Sequence, residues 1–296
     1  MKCFRLDPDG RHHWIYSMQM RILATFLLIF MIQCSQKKNA EFCSVGGEEL
    51  SPIVDSWSAI YQESGRKVPQ HEARGNRTAA PALASRICNL AFVSDALPSE
   101  DLDLITRKLG RTPGAIPIAV EIIAFAVPKS FPVDSLSVEQ IKSIFGSGEE
   151  DASALGLPPG KISAFGINSA SDRYFWLKGA LGIRAFSDRV KEMSGPLTLM
   201  DRVAVTSYGI GYGRPLEANG VKLLDISKDG RVLGIKSTDY PFRRYYFAYV
   251  TEKTPDTKAF LEFVLSDRGQ KALLPSGLYP LPDSVLIKAR EELARQ

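Results

Sequence analysis

The chain has 296 residues, enough for two domains and a sizeable core, and at 45% hydrophobic and 24% charged it has the composition of an ordinary globular protein. The net charge of +4 is slight and spread through the chain, with no basic stripe interleaved with aromatics, which argues against nucleic acid as a partner. Its three histidines and four cysteines form no cluster with metal-ligand spacing, so no metal site, no cofactor and no histidine-based catalysis are expected.

From the N-terminus, residues 22–33 are an apolar run without charge, preceded by Arg11 and Arg21. The run is about half of the ~20 residues needed to span a bilayer and fits the apolar core of an export signal. Residues 1–34 therefore read as a leader, with Met18 or Met20 a more natural start than Met1, because residues 1–16 are polar. Cys34 closes the run before a polar stretch and looks like the acceptor of a bacterial lipoprotein signal, although the small residue usual before it is missing. Plain cleavage and an uncleaved anchor are the alternatives. The protein is expected to be exported to the periplasm or cell envelope, touching the membrane only through an N-terminal lipid or anchor. Cys43 and Cys88 remain in the mature part. In an oxidising compartment they could pair; the plainer reading is two small buried residues.

Residues 41–45 read as a strand, Gly46-Gly47 as a turn, and residues 50–61 as an amphipathic helix with Leu50, Ile53, Val54, Trp57 and Ile60 on one face. Such a unit aims backbone N–H groups at an anion; Glu48 and Glu49 suit the helix dipole there but would repel the anion. Residues 68–73 follow as a strand, 74–78 as a loop and 79–86 as a short helix. Residues 90–93 are an apolar strand that stops at Ser94 and Asp95, as a parallel strand does at the ligand-facing edge of its sheet, or as a strand running into an Asx-type turn does.

A helix is expected over 101–109 and a loop over 110–117. Residues 118–127, apolar except for Glu121, read as one long buried strand that crosses between lobes. Ser137 caps a helix running to Phe145, 146–161 is a loop, and 162–167 is a strand leading into the polar turn 168–173 and a helix over 174–181. Residues 201–205 lead to a glycine-rich strand or turn at 207–213, and 240–250 is an aromatic strand, the second crossing. Helices close the chain over 258–265, 269–274 and 285–295. Alternating strands and helices give an α/β protein of two lobes, 40–118 with 243–296 and 119–242, with the ligand in the cleft between them.

In this order the segments resemble the phosphate-type substrate-binding proteins of bacterial ABC transporters, over about residues 43–282. The resemblance rests on the glycine turn before Trp57, on Val93-Ser94-Asp95-Ala96-Leu97-Pro98 and on the 136–145 helix. It rests also on Tyr208-Gly209-Ile210-Gly211-Tyr212, on Tyr240-Pro241 with its aromatic strand, and on the 263–270 and 278–282 segments. It implies the two-lobed periplasmic-binding-protein fold of type II, no catalysis, a monomer, and phosphate or another small anion handed to an ABC permease. It also implies hydroxyl and N–H donors from the first helix start, the second loop and a Ser-Gly-Thr turn. An arginine just before that turn and an aspartate that accepts the anion's proton complete the implied set.

Carried over residue by residue, Asp95 stands at the acceptor, with Ser94 before it, and Ser171 stands at the serine of the turn. Asp172 and Arg173 replace the glycine and threonine, and Ile167 replaces the arginine. Glu48 stands where a hydroxyl is usual, and Arg77 near a serine position, beside Thr78. The candidate ligand-binding set is Gly46, Gly47, Glu48, Asn76, Arg77, Thr78, Ser94, Asp95, Ser169, Ser171, Asp172 and Arg173. The exchanged charges could pair with one another, form a two-arginine clamp of Arg77 and Arg173 for another oxyanion, suit a zwitterion, or face solvent. An envelope sensor or scaffold that kept the fold is the alternative function. An enzyme is disfavoured, since nothing is placed to activate Ser94 as a nucleophile.

Overall fold

The computed structural model describes residues 42–295; the readings of the leader, of its start and of Cys34 fall outside them. In chain order the first part runs β1 (Cys43–Gly46), α1 (Ser51–Gln62), β2 (Gln70–Ala73), α2 (Ala79–Ala84), β3 (Leu90–Val93), α3 (Ser99–Leu109) and β4 (Gly114–Ile122). The middle runs β5 (Ala124–Pro128), β6 (Ser135–Ser137), α4 (Val138–Lys142), β7 (Ser163–Ile167), α5 (Asp172–Ala180), β8 (Lys191–Met193), α6 (Pro196–Ala204) and β9 (Gly209–Gly213), then β10 (Val221–Leu223), β11 (Asp225–Lys228) and β12 (Arg231–Leu233). The end runs β13 (Arg243–Val250), α7 (Pro255–Val264), α8 (Asp267–Lys271) and α9 (Asp283–Arg295).

These strands make two five-stranded sheets among the described residues, in the orders β2-β1-β3-β13-β4 and β10-β5-β9-β7-β8, and a small third sheet, β12-β11-β6. In the first sheet β1 runs parallel to β2 and β3, and β13 antiparallel to β3 and β4. The first sheet thus takes its strands from both ends of the chain and the second from the middle. β1 and β3 approach so closely that a Cβ on Gly46 would lie 2.0 Å from the Phe92 carbonyl oxygen, a spacing only glycine allows.

Trp57, on the apolar stripe of α1, is fully buried. Its indole N–H donates to the Gly269 carbonyl over 2.7 Å, which fixes α1 against the C-terminal helices. The second sheet is packed by aromatics: Phe125 lies 5.7 Å from Phe145 and 5.0 Å from Phe242, centroid to centroid. Ser137 caps α4 as expected, in a complete capping box with Gln140.

The single strand expected over 118–127 is two strands. β4 begins already at Gly114, inside the expected loop, and ends at Ile122; β5 starts in the other sheet at Ala124. Ile123 between them donates its N–H to Phe242 O (3.0 Å) and accepts from the Tyr240 hydroxyl (3.2 Å), so the two crossings are tied to each other where the chain changes sheet. An apolar run carries no mark of such a change, because both sheets bury it.

Three further differences concern the disulfide, a hairpin and two short elements. Cys43 and Cys88 are joined in a disulfide, with Cα atoms 5.4 Å apart, against the plainer reading of two unpaired residues. The parallel β1–β3 pairing brings β1 beside the segment that enters β3. The β11–β12 hairpin was not foreseen, although its turn is Asp229-Gly230 with φ of 52° and 75°, the residue pair that favours a tight hairpin. The short β8 and the helix α6 were also missed, α6 beginning at Pro196, well before residue 201.

Candidate functional site

β3 delivers its last apolar residue, Val93, to the core and then turns two polar side chains, Ser94 and Asp95, towards the middle part of the chain. Ser94 is fully buried. Its hydroxyl oxygen accepts from Asn76 Nδ2 and from Arg244 Nη2, both over 2.6 Å, and its N–H donates to Asn76 Oδ1 over 3.3 Å. Asn76 belongs to a 3-10 turn at 76–78 that follows Gly75, whose φ of 85° lets the loop fold back. Its Nδ2 also donates to Asp172 Oδ2 over 2.6 Å, at the start of α5, and so joins an element of the first sheet's lobe to one of the second's.

Arg244 lies on β13 and is the charged centre of this face. Its side chain is 0% exposed. Nε and Nη2 donate to the two Asp95 oxygens over 3.1 and 2.7 Å, and Nη1 donates to Glu121 Oε2 over 3.3 Å. Glu49 Oε1 stands 3.7 Å from Nη2 and makes no hydrogen bond among the described residues. Arg244 and Glu121 are opposite each other in the β13–β4 ladder, so the sheet register itself makes this pair.

Beneath them Glu121 is fully buried and gathers two more arginines. Oε1 accepts from Arg173 Nε (3.3 Å) and Nη2 (3.0 Å) and from Arg214 Nε (2.7 Å), while Oε2 accepts from the Tyr246 hydroxyl (3.1 Å). Arg173 continues to Glu217, Nη1 to Oε2 over 3.1 Å. Arg214 reaches the Ser276 carbonyl over 3.1 Å. Burial alone would raise the Glu121 carboxyl, but Arg173, Arg214 and Arg244 overcome it and hold it at about 2. Burial pushes Asp95 and Glu49 the other way, above the ordinary carboxylate range, against the pull of Arg244. Burial also pushes the Tyr246 phenol up, so it stays a donor.

The candidates from the sequence are thus divided. Gly47, Asn76, Ser94, Asp95 and Asp172 come together; a Cβ on Gly47 would sit 2.8 Å from Asn76 Oδ1. Gly46 lies directly beneath, on β1. Thr78 turns its hydroxyl back to the Gly75 carbonyl over 2.8 Å. Ser171 caps α5 by accepting from Tyr174 N over 3.2 Å. Ser169 is exposed, its N–H donating to Glu192 Oε2 over 3.2 Å. Glu48 and Arg77 are exposed. Arg173 is buried on Glu121 and Glu217, so the clamp of Arg77 with Arg173 is not formed, nor does Arg173 pair with Glu48.

Sequence reasoning missed Glu49, Glu121, Arg214, Glu217, Arg244 and Tyr246 as members of this cluster. A signal existed for two of them: Glu121 and Arg244 are charged residues inside strands read as buried, and a buried charge requires an opposite one. No cation-binding group of three or more His, Cys, Asp or Glu side chains occurs among the described residues. What the arrangement offers chemically is one buried guanidinium, a hydroxyl and a carboxamide at a sheet edge, flanked by carboxylates. Such a set can bind an oxyanion by charge-assisted hydrogen bonds.

A model of the PBP superfamily domain matches residues 35–268. The phosphate-binding protein PstS of Pseudomonas aeruginosa strain PAO1 is 30% identical, over 84% of this chain and 86% of that protein. The protein SphX of Synechococcus elongatus is 23% identical, over 88% of this chain and 83% of that protein. Among solved structures, PstS from Borrelia burgdorferi aligns with a TM-score of 0.67 at 19% identity, over 81% of this chain and 98% of its own. At that identity the likeness speaks for the fold: two lobes of mixed α/β structure, as expected.

Proposed function

This chain belongs to the PBP superfamily, and on that premise we propose that it is an extracytoplasmic solute-binding protein. In this reading it binds phosphate or a related oxyanion in the cleft between its lobes and delivers it to an ABC permease, without catalysis. The observation that carries the reading is Arg244, a buried guanidinium held beside Ser94 and Asn76 at the end of β3. The oxyanion takes bonds from Arg244, the Ser94 hydroxyl and Asn76 Nδ2, and Asp95 accepts the proton of a hydrogen-bearing anion. The lobes divide at Ile123 and in the segment before β13, and closing about these crossings brings Asp172 onto Asn76. Export through the leader, lipidation at Cys34 and a monomeric state belong to the same reading. The relatives named as phosphate-binding proteins support the anion.

Equilibrium dialysis with labelled phosphate tests it. Saturable binding at one site, lost in Arg244→Met, is the expected result. A second reading, an envelope sensor or scaffold that kept the fold without a ligand, is favoured by one observation: Arg244 spends its hydrogen bonds on Asp95, Glu121 and Ser94. Absence of saturable binding would leave that reading in front.

A further inference from the structure

The cluster holds more carboxylates than guanidiniums. Around Arg173, Arg214 and Arg244 stand Glu121 and Glu217, each in an ion pair with one or more of them, and Asp95, paired with Arg244. Glu49 lies 3.7 Å from Arg244, and Asp172 is joined to the cluster through Asn76. An oxyanion entering here adds negative charge to a surplus of it, beside Arg244 and Glu121, whose side chains are shut off from water, so like charges there are poorly screened. Either the anion is repelled or a carboxylate gives up its charge.

The carboxylates are not equal in this respect. Glu121 receives donors from three arginines and a tyrosine and stays ionised. Glu217 is paired with Arg173, and Asp95 is held at both oxygens by Arg244. Of the carboxylates that face Arg244, Glu49 is the weakly held one: it stands 3.7 Å from the guanidinium, and its Oε1 is a buried atom without a hydrogen bond among the described residues. The groups facing it are Arg244 from β13, Ser94 from the end of β3, Glu121 from β4 and Asp172 from α5, two of them carboxylates.

We propose that oxyanion binding is coupled to uptake of one proton by Glu49, so that the anion binds as Glu49 becomes neutral and affinity rises as pH falls. This rests on the oxyanion reading above. The proton comes from solvent, the carboxylate becomes a carboxylic acid, and its new O–H is a donor that can meet the anion or Ser94. A carboxyl group kept neutral by its surroundings is a known way to supply such a donor. Burial, which already lifts Glu49 above the ordinary range, works in the same direction.

Isothermal titration of the purified protein with inorganic phosphate, in buffers of different ionisation heat between pH 5 and pH 8, counts the protons taken up per anion. Glu49→Gln, run in parallel, removes the ligand's own titration from the comparison. The wild type should take up close to one proton more per phosphate than Glu49→Gln near pH 7, and the variant should bind phosphate at least several-fold tighter at pH 7.5. Should Glu49→Gln fold poorly, Glu49→Ala takes its place in the same comparison, so that the ligand's own titration still cancels. Equal proton counts, or an affinity that is flat or falls towards acid, would overturn the coupling and leave the oxyanion reading standing. No binding of phosphate at any pH would overturn both.

Discussion

Arg244 and Asp95 meet in a two-point ion pair, Nε to Oδ1 over 3.1 Å and Nη2 to Oδ2 over 2.7 Å, although 149 residues separate them. β13 supplies the guanidinium and β3 the carboxylate, and the two strands are neighbours in the first sheet. The pair stands where the sheet faces the middle part of the chain. An oxyanion bound as proposed competes with Asp95 for the same two N–H groups, so in that reading the pair positions the arginine and also sets the cost of using it.

Replacing Arg244 should therefore remove more than a ligand contact. Arg244→Met leaves Asp95 and Glu121 short of their partner, and breaking a buried ion pair from one side costs roughly 3–5 kcal/mol. Chemical denaturation should show a loss of that order, with phosphate binding abolished. Arg244→Lys should keep part of the stability but bind weakly, since an ammonium cannot form the fork.

Glu121 makes a prediction about pH. Its carboxyl is held at about 2 in the folded protein against about 4.3 in an unfolded chain. A depressed carboxylate contributes stability above its unfolded value, and the contribution is lost as pH falls through the folded one. Urea melts of the wild type should lose stability between about pH 4 and pH 2. Glu121→Gln should start less stable at neutral pH and be flatter across that window.

Glu49 has the opposite sign. A carboxyl raised by burial destabilises the fold once it is ionised, so stability falls as pH rises through the raised value. Glu49→Gln should raise the melting temperature at pH 7.5 and change it little at pH 4. A variant that melts lower at pH 7.5 would show that the ion pair with Arg244 outweighs burial.

The Cys43–Cys88 disulfide closes a loop between residues 45 apart in sequence. Reduction, or the double change to alanine, should cost roughly 2–5 kcal/mol, seen as a lower melting temperature with reductant. It should leave the shape of the phosphate isotherm unchanged, because neither cysteine lies in the Arg244 cluster.

Asn76→Ala removes the bond to Ser94 and the bond to Asp172, the second of which joins the two lobes. Phosphate affinity should weaken about tenfold, the equivalent of ~1.4 kcal/mol. Dialysis or calorimetry reads this directly.

Much of the fold was legible because periodicity reports burial. The stripe through Leu50, Ile53, Val54 and Trp57 marked α1, and Leu90–Val93 marked β3 within its true bounds. The end of β3 was legible as a site for the same reason, since Ser94 and Asp95 break an apolar run. What stayed hidden depends on distant residues meeting. Nothing local says that Ile123 changes sheets, or that Cys43 faces Cys88. Arg244 was visible as a charge in a buried strand, yet its partners come from residues 49, 94, 95 and 121. Arg173 read as a ligand residue by its place in the 168–173 turn, whereas Glu121 and Glu217, far along the chain, claim its guanidinium.

The most direct measurement is thermal melting of the protein at millimolar phosphate, sulfate and a set of organic anions, repeated with Arg244→Met and Asp95→Ala. A ligand present at about 100 times its dissociation constant stabilises by ~2.7 kcal/mol, so a clear upward shift with phosphate, absent in Arg244→Met, is the predicted result. No shift with any anion would contradict the oxyanion-binding account and leave the Arg244 cluster as an internal lock on a cleft that takes no anion.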